Sequence, residues 1–406
     1  MAGEWRATTL GDVIELKRGY DLASTQRTPG PIPIVSSSGP SGSHTESMVR
    51  GPGVVTGRYG TIGQVFYVRS DFWPLNTTLY VRDFKGANPR FVAYFLKTLD
   101  FQAYTDKAAV PGINRNDVHR AEVLWPPVSV QEQIAHLLGS LDDKIELNRR
   151  MAATLEEMAR ALFKSWFVDF DPVRAKAEGR NPCLPAATAA LFPDRFGEGG
   201  LPEGWSKASL LDHARLISGG TPKTEEPTYW GGPILWASAK DVSQCADRFL
   251  TVTERTITRR GVEESATRMV PALSTVVVAR GATTGRHCLF GREMAMNQTC
   301  YALHSEAQRP FWLACTFSAL VAELVHGAHG SVFDTITTTT LQTAKIVHGS
   351  DEVISAFERF VHPIYERILS LVEEAVALRA LRDTLLPKLI SGELRIKDAN
   401  KDVEAA

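Results

Sequence analysis

Two stretches of the chain carry apolar residues at alternating spacings of four and three, the mark of a narrow apolar seam on a long helix. The first runs Ile134, Leu138, Leu141, Ile145, Asn148, Ala152, Leu155, Ala159, Leu162 and Trp166. The second runs Phe357, Val361, Ile364, Ile368, Leu371, Ala375, Leu378, Arg382, Leu385 and Leu389, and the two ladders superimpose at a fixed offset of 223 residues. A helix of that length, about 50 Å at 1.5 Å per residue, cannot bury its seam on itself. The ladders are therefore expected to pair with one another, antiparallel on this connectivity; the alternative is that each packs on its own globule. Asn148 and Arg382 interrupt the seam as register-setting or partner-facing positions, and Pro363 is expected to kink the first turns of the second helix.

Ahead of each ladder lie short strand-like runs punctuated by Gly, Pro and Ser. In the first copy they are Val13 to Lys17, Pro33 to Ser36, Val54 to Arg58, Gln64 to Val68 and Thr77 to Arg82, followed by a helical stretch from Arg90 to Ala108 and a last strand from Glu122 to Trp125. These regions also repeat. Trp5, Leu10, Asp12, Leu16 and Gly19 recur as Trp205, Leu210, Asp212, Leu216 and Gly219, all at a spacing of 200. Pro31-Ile32 with Ser36 recurs as Pro233-Ile234 with Ser238, the segment from Arg58 to Gly63 as Arg280 to Gly285, and Asn76 to Tyr80 as Asn297 to Tyr301. The offset grows to about 222, so the second copy holds insertions.

The expected fold is α+β: two similar mixed α/β domains separated by a long antiparallel coiled-coil helix pair, an internal pseudo-two-fold duplication. The expected boundaries are 1–129 for the first globule, 130–180 for the first long helix, 181–204 for a linker, 205–350 for the second globule, 351–395 for the second long helix and 396–406 for a flexible tail. On this arrangement the globules occupy opposite ends of one rod.

The 406 residues, 44% of them hydrophobic, supply ample material for buried cores. A net charge of -1 advertises no nucleic-acid partner. By region the picture changes: residues 1–129 hold 14 basic and 11 acidic side chains and residues 205–350 hold 14 and 12, leaving the helices and links with a net -6. The globules are mildly basic and the rod is acidic. Five widely spaced cysteines without a C-x-x-C pair favour neither disulfides nor a zinc knuckle and fit a reducing cytoplasm. No stretch is long and apolar enough to suggest a membrane span.

Catalytic signatures are missing. The chain has no phosphate-binding G-x-x-x-x-G-K-S/T loop, no G-x-G-x-x-G after a strand, no H-E-x-x-H and no Asp/Asn-Pro-Pro-aromatic motif of an amino-methyltransferase. Glu15 and Lys17 could form half of a nuclease metal site, but the second copy has Arg215 and Ile217 there. His326 and His329 lack partners at ligand spacing. What remains is a two-fold binding module, and duplex DNA is an elongated ligand whose grooves recur every ~34 Å.

The chain resembles the specificity subunits of type I restriction-modification systems along essentially its whole length. The marks are Leu162-Phe163-Lys164-Ser165-Trp166-Phe167-Val168-Asp169-Phe170-Asp171-Pro172-Val173 at the end of the first helix, Pro126-Pro127 with Glu132-Gln133 at its start, and Leu385-Leu386-Pro387-Lys388-Leu389-Ile390-Ser391-Gly392-Glu393-Leu394 at the end of the second. The resemblance implies a non-catalytic subunit of a host-defence system whose two target-recognition domains each read half of a gapped DNA site, the helices setting the gap. It also implies two docked modification (methyltransferase) subunits and restriction-motor subunits as partners on double-stranded DNA. S-adenosylmethionine, ATP and Mg are then expected on those partners and no cofactor on this chain. The chain departs from the family at His348-Gly349-Ser350-Asp351-Glu352, where a Pro-Pro-x-x-x-Gln-Glu-Gln entry is the family's pattern. A stand-alone DNA-binding scaffold or regulator, or a metal-dependent nuclease, are the competing readings.

Candidate DNA contacts in the first copy are Arg58, Tyr59 and Thr61 on the Gly-rich turn, with Ser36, Ser37, Lys107, Asn114 and Arg115 on loops. In the second they are Arg280, Thr283, Thr284, Lys223, Lys240 and Ser331. Arg58 and Arg280, which recur, are expected on phosphates, and the unshared loops Ser37 to Arg50 and Pro222 to Gly232 are expected to specify bases. Trp5 and Trp205 are expected in the core. Phe163, Trp166, Phe167 and Phe170 are expected to pack against the second globule rather than to form a docking surface.

Overall fold

The computed structural model describes residues 5–105, 111–327 and 335–404. They divide into two units: Met1–Ile145 with Ala377–Ala406, and Glu146–Val376.

The first unit begins with β1 (Arg6–Thr9), a short helix α1 (Leu10–Val13) and β2 (Glu15–Arg18). Strands β3 (Ile32–Ser36), β4 (Gly39–His44), β5 (Gly53–Gly57), β6 (Val65–Val68), β7 (Trp73–Pro74) and β8 (Thr78–Asp83) follow, then α2 (Pro89–Thr98), α3 (Arg115–His119) and β9 (Glu122–Trp125). The sheets have the orders β2-β8-β5-β6 and β4-β3-β7, and β1 pairs with β9. The apolar runs of the sequence became β2, β3, β5, β6, β8 and β9. β4, with the sequence GPSGSH, had no apolar pattern to betray it.

From this globule the chain enters α4 (Val128–Phe167), then α5 (Asp171–Ala177) and α6 (Ala186–Ala189). The second unit continues with β10 (Ser206–Ser209), β11 (Arg215–Ser218), β12 (Trp230–Ala237), α7 (Ala239–Gln244), β13 (Phe249–Leu250), β14 (Arg255–Ile257) and α8 (Arg259–Glu263). It is completed by β15 (Met269–Val270), β16 (Thr275–Val278), β17 (His287–Phe290), β18 (Met294–Met296), β19 (Cys300–His304), α9 (Pro310–Gly327), α10 (Thr338–Thr343) and β20 (Lys345–His348). Its sheets, β11-β19-β16-β17-β13 and β14-β12-β18-β15 with the pair β10-β20, repeat those of the first unit with β13 and β15 added. The inserted residues supply α7, β13, α8 and β15.

Shared residues hold the shared scaffold. Thr9 and Asp12, and Ser209 and Asp212, form matching capping boxes, above Leu10 and Leu210, which are fully buried. Trp205 is buried in the second core and Trp5 packs at the edge of the first.

The last long helix, α11 (Asp351–Ser391), runs unbroken through Pro363. Both seams are buried, and each unit shares its core between globule and helices. In the first unit Ile134, Leu138 and Leu141 of α4 join Leu385 and Leu389 of α11 in the cluster that contains Leu10 and Phe91. In the second, Ala152, Ala159 and Trp166 of α4 join Phe357, Val361, Ile368 and Leu371 of α11 around Phe311 and Trp312, with Leu155, Leu162 and Ile364 at the margin. The two expected seam partners, other helix and own globule, are thus both engaged. Trp166 meets Phe357 at 5.8 Å and Phe192 at 5.0 Å, and Phe167 meets Trp205 at 5.7 Å, so this aromatic group packs inward as expected.

One expectation needs correction. The segment 396–406 was expected as a flexible tail, but α12 (Ile396–Glu404) forms there and buries Ala399 in the first core. Arg382 faces the other long helix, its Nη1 reaching Asp142 of α4 at 2.6 Å, in keeping with a register-setting position. Asn148 is buried, and its amide atoms have no partner among the described residues.

Candidate nucleic-acid interface

In the first unit the Gly-rich turn joins β5 to β6. Gly63 stands at φ +77°, a left-handed conformation that a Cβ would strain, and its N–H closes the turn on the Gly57 carbonyl at 3.3 Å. The Arg58 N–H donates to the Thr77 carbonyl at 2.9 Å, and the Arg58 carbonyl accepts from Ile113 N–H at 3.0 Å. Tyr59 bridges to Gly112, and a Cβ on Gly112 would collide with the Tyr59 ring. The Arg58 guanidinium lies 4.5 Å from the centre of that ring. Ser37, at the β3–β4 tip, approaches Gly57 and Gly60.

The structure therefore gathers Ser37, Arg58, Tyr59, Thr61, Asn114 and Arg115 at one end of the first globule's sheets. Thr61 and Arg115 are exposed. Two of the candidates have local duties: Ser36 Oγ donates to the Gly39 carbonyl at 2.9 Å, and Asn114 caps α3 by accepting from Asn116 N–H at 3.0 Å. Lys107 lies outside the described residues.

The second unit has the same turn with one residue more. Gly285, at φ +87°, donates to the Val278 carbonyl at 2.9 Å, and Val278 N–H donates to the Arg286 carbonyl at 2.9 Å. Here Ala279, not Arg280, donates to Thr299 at 2.8 Å and accepts from Ile336 at 2.8 Å, while Arg280 bridges to Thr335. Arg280 thus occupies the backbone station of Tyr59, and the expected equivalence with Arg58 is off by one. The sequence alignment placed the extra residue outside the turn, where the hydrogen bonds do not.

Arg280 and Thr283 are exposed, whereas the Thr284 hydroxyl is turned to the Gly281 carbonyl at 2.7 Å. Thr221 bonds to Gln298, which brings the start of the 222–232 loop, with exposed Lys223, beside the strand that supports the turn. Lys240 is elsewhere occupied, in an ion pair with Glu254 at 2.7 Å, and Ser331 lies outside the described residues. Sequence reasoning missed Trp230 and Arg255, which lie 25 residues apart and meet through a strand bulge that leaves no local pattern.

The nuclease reading finds no support here. Glu15 is ion-paired with Arg82, and Lys17 points at the Tyr20 hydroxyl, 3.4 Å away. Among the described residues no group of three or more His, Cys, Asp or Glu could hold a metal ion, and no helix is long and apolar enough to cross a membrane.

Residues 2–157 match the family model of the type I restriction modification DNA specificity domain. The type I restriction enzyme HindI specificity subunit of Haemophilus influenzae is 28% identical over 337 residues, covering 70% of this chain and 71% of its own. The MjaIX specificity subunit of Methanocaldococcus jannaschii is 22% identical over 336 residues, covering 77% of this chain and 71% of its own. The fold is that of a solved S subunit of a type I restriction-modification system from M. genitalium, with a TM-score of 0.60, 16% identity and coverage of 95% and 96% of the two chains. The chain is thus similar in sequence to type I restriction enzyme specificity subunits over 70% or more of its length, carries the matched DNA specificity domain in residues 2–157, and shares the fold of a solved S subunit.

Proposed function

We propose that this chain gives a type I restriction-modification complex its DNA sequence, each globule reading one half of a gapped site in double-stranded DNA. The observation that carries the reading is the repeated turn: two topologically matched sheets each present a Gly-rich turn with an exposed or half-buried arginine, while the strands beside the turn differ. Arginines on the shared turn hold phosphates, and the unshared loops read bases. The paired helices set the gap and dock two methyltransferase subunits, with restriction-motor subunits joining the assembly. Chemistry resides on those partners, which carry S-adenosylmethionine, ATP and Mg, and this chain is non-catalytic. It works in the cytoplasm, where the host DNA lies.

The test is exchange of residues 205–350 for the equivalent domain of a relative with a different target, in a host expressing the methyltransferase partner. Single-molecule methylome sequencing should show one half of the recognised sequence replaced and the other kept. An unchanged sequence contradicts the proposal.

A further inference from the structure

The second globule holds an arrangement that the first lacks. β12 is bulged, so that both Trp230 and Ile234 stand opposite Ile257 of β14. Gly231 sits at φ +77°, and a Cβ on Gly232 would meet the Thr258 Cα at 2.5 Å. A bulge of this kind re-aims the side chain beside it. Trp230 meets Trp236 edge-on at 5.2 Å and donates its Nε1–H to the Lys223 carbonyl at 3.1 Å, which fixes the indole from two sides.

The Arg255 guanidinium lies on this indole, 3.4 Å from the ring centre, and 5.8 Å from the Trp236 ring. Its charged neighbours are engaged elsewhere: Lys240 pairs with Glu254 and Arg260 with Glu264. Arg255 itself is exposed and has no side-chain hydrogen bond or ion pair among the described residues. Held by stacking alone, it keeps its planar fork of N–H donors open to solvent, and little side-chain freedom remains to be lost when a ligand binds. That fork matches the O6 and N7 acceptors of guanine in the major groove.

We propose that Arg255 reads a guanine in the half-site of the second globule, with Trp230 as its positioning residue. The proposal rests on the reading of the chain as a DNA-specificity subunit. The strand that occupies the place of β14 in the first unit, β4, carries no Lys or Arg, so the first globule has no counterpart of Arg255 on that strand.

The test uses the full chain coexpressed with its methyltransferase partners in a host free of other adenine methylation, with sites read by single-molecule sequencing. Arg255→Ala should relax one guanine position of one half-site, methylation of other bases there rising about 10- to 100-fold relative to guanine. Arg255→Lys and Trp230→Ala should relax the same position less. An unchanged recognised sequence with Arg255→Ala, or a uniform loss across all sites, the sign of a phosphate contact, overturns the proposal. Where Arg255→Ala abolishes methylation altogether, Arg255→Lys decides: relaxation at the guanine supports the proposal and an unchanged sequence overturns it. The exchange of residues 205–350 run alongside separates the two failures. If the exchange alters the sequence and Arg255→Ala does not, only the Arg255 assignment falls.

Discussion

The two globules share a central strand, β3 in the first and β12 in the second, flanked on one side by matching parallel strands β7 and β18. They differ on the other side. β4 returns at once from β3 as a Gly- and Ser-rich hairpin arm, whereas the chain reaches β14 only after α7 and β13. The first globule places small side chains beside its turn and the second places Arg255 on a tryptophan. Duplication has kept what holds the turn and changed what stands next to it. That is the pattern expected of two readers built on one scaffold for two sequences.

The comparison can be broken first at the shared core. Trp166 is buried among Phe357, Phe192 and Phe167 in the second unit, and Trp166→Ala should cost about 3–5 kcal/mol. Denaturant unfolding should show this loss; a change under 1 kcal/mol would show that the aromatic group does not hold that core.

A second difference concerns pH. At the station of Val65 in β6 the second unit has His287 in β17, and burial pushes its imidazole down to about 4. The unfolded chain then binds a proton near 6.5 that the folded chain refuses until about 4. Stability contributed at neutral pH is therefore lost as pH falls through that window, by about 2–3 kcal/mol. Thermal melts of the protein and His287→Val between pH 7 and 4 should diverge, the variant losing less. Parallel curves would refute the burial argument.

The smallest effect separates the helices. Asn148 of α4 stands where α11 has Leu371, at the offset of 223, and its buried amide has no partner among the described residues. Asn148→Leu should stabilise the chain by about 1–2 kcal/mol, since an unsatisfied polar group is removed. A destabilised variant in the same melts would mean that Asn148 is satisfied in solution or that the seam has no room.

Much of this architecture was legible because it rests on repeated local rules. The 4-3 spacing from Ile134 to Trp166 gave the helix, and the strand runs matched β2, β3, β5, β6, β8 and β9 within a residue or two. Trp5, Leu10, Asp12, Leu16 and Gly19, recurring at a spacing of 200, carried the internal repeat, and Asp12 and Asp212 prove to sit in matching capping boxes. The site was less legible. The turn could be found from its glycines, but its register could not, because one added residue between Val278 and Arg286 moves Arg280 off the station of Arg58. Lys240 looked available until Glu254, 14 residues on, closed on it. Arg255 was invisible since its importance comes from a bulge that no spacing announces. The tail was misread because α12 is short and polar overall, although Ile396 and Ala399, three residues apart, fall on one face that packs into the first core.

The central claim, that the shared scaffold supports reading and the unshared strands specify it, is tested most directly by a graft smaller than a domain. Residues 222–270, which hold β12 to β15, would be replaced by the equivalent segment of a relative with a different half-site, leaving the Arg280 turn and the helices in place. Methylome sequencing should then report the relative's bases in one half of the site, with the gap and the other half unchanged. Retention of the original half-site would contradict the account, since it would place specificity in the shared turn.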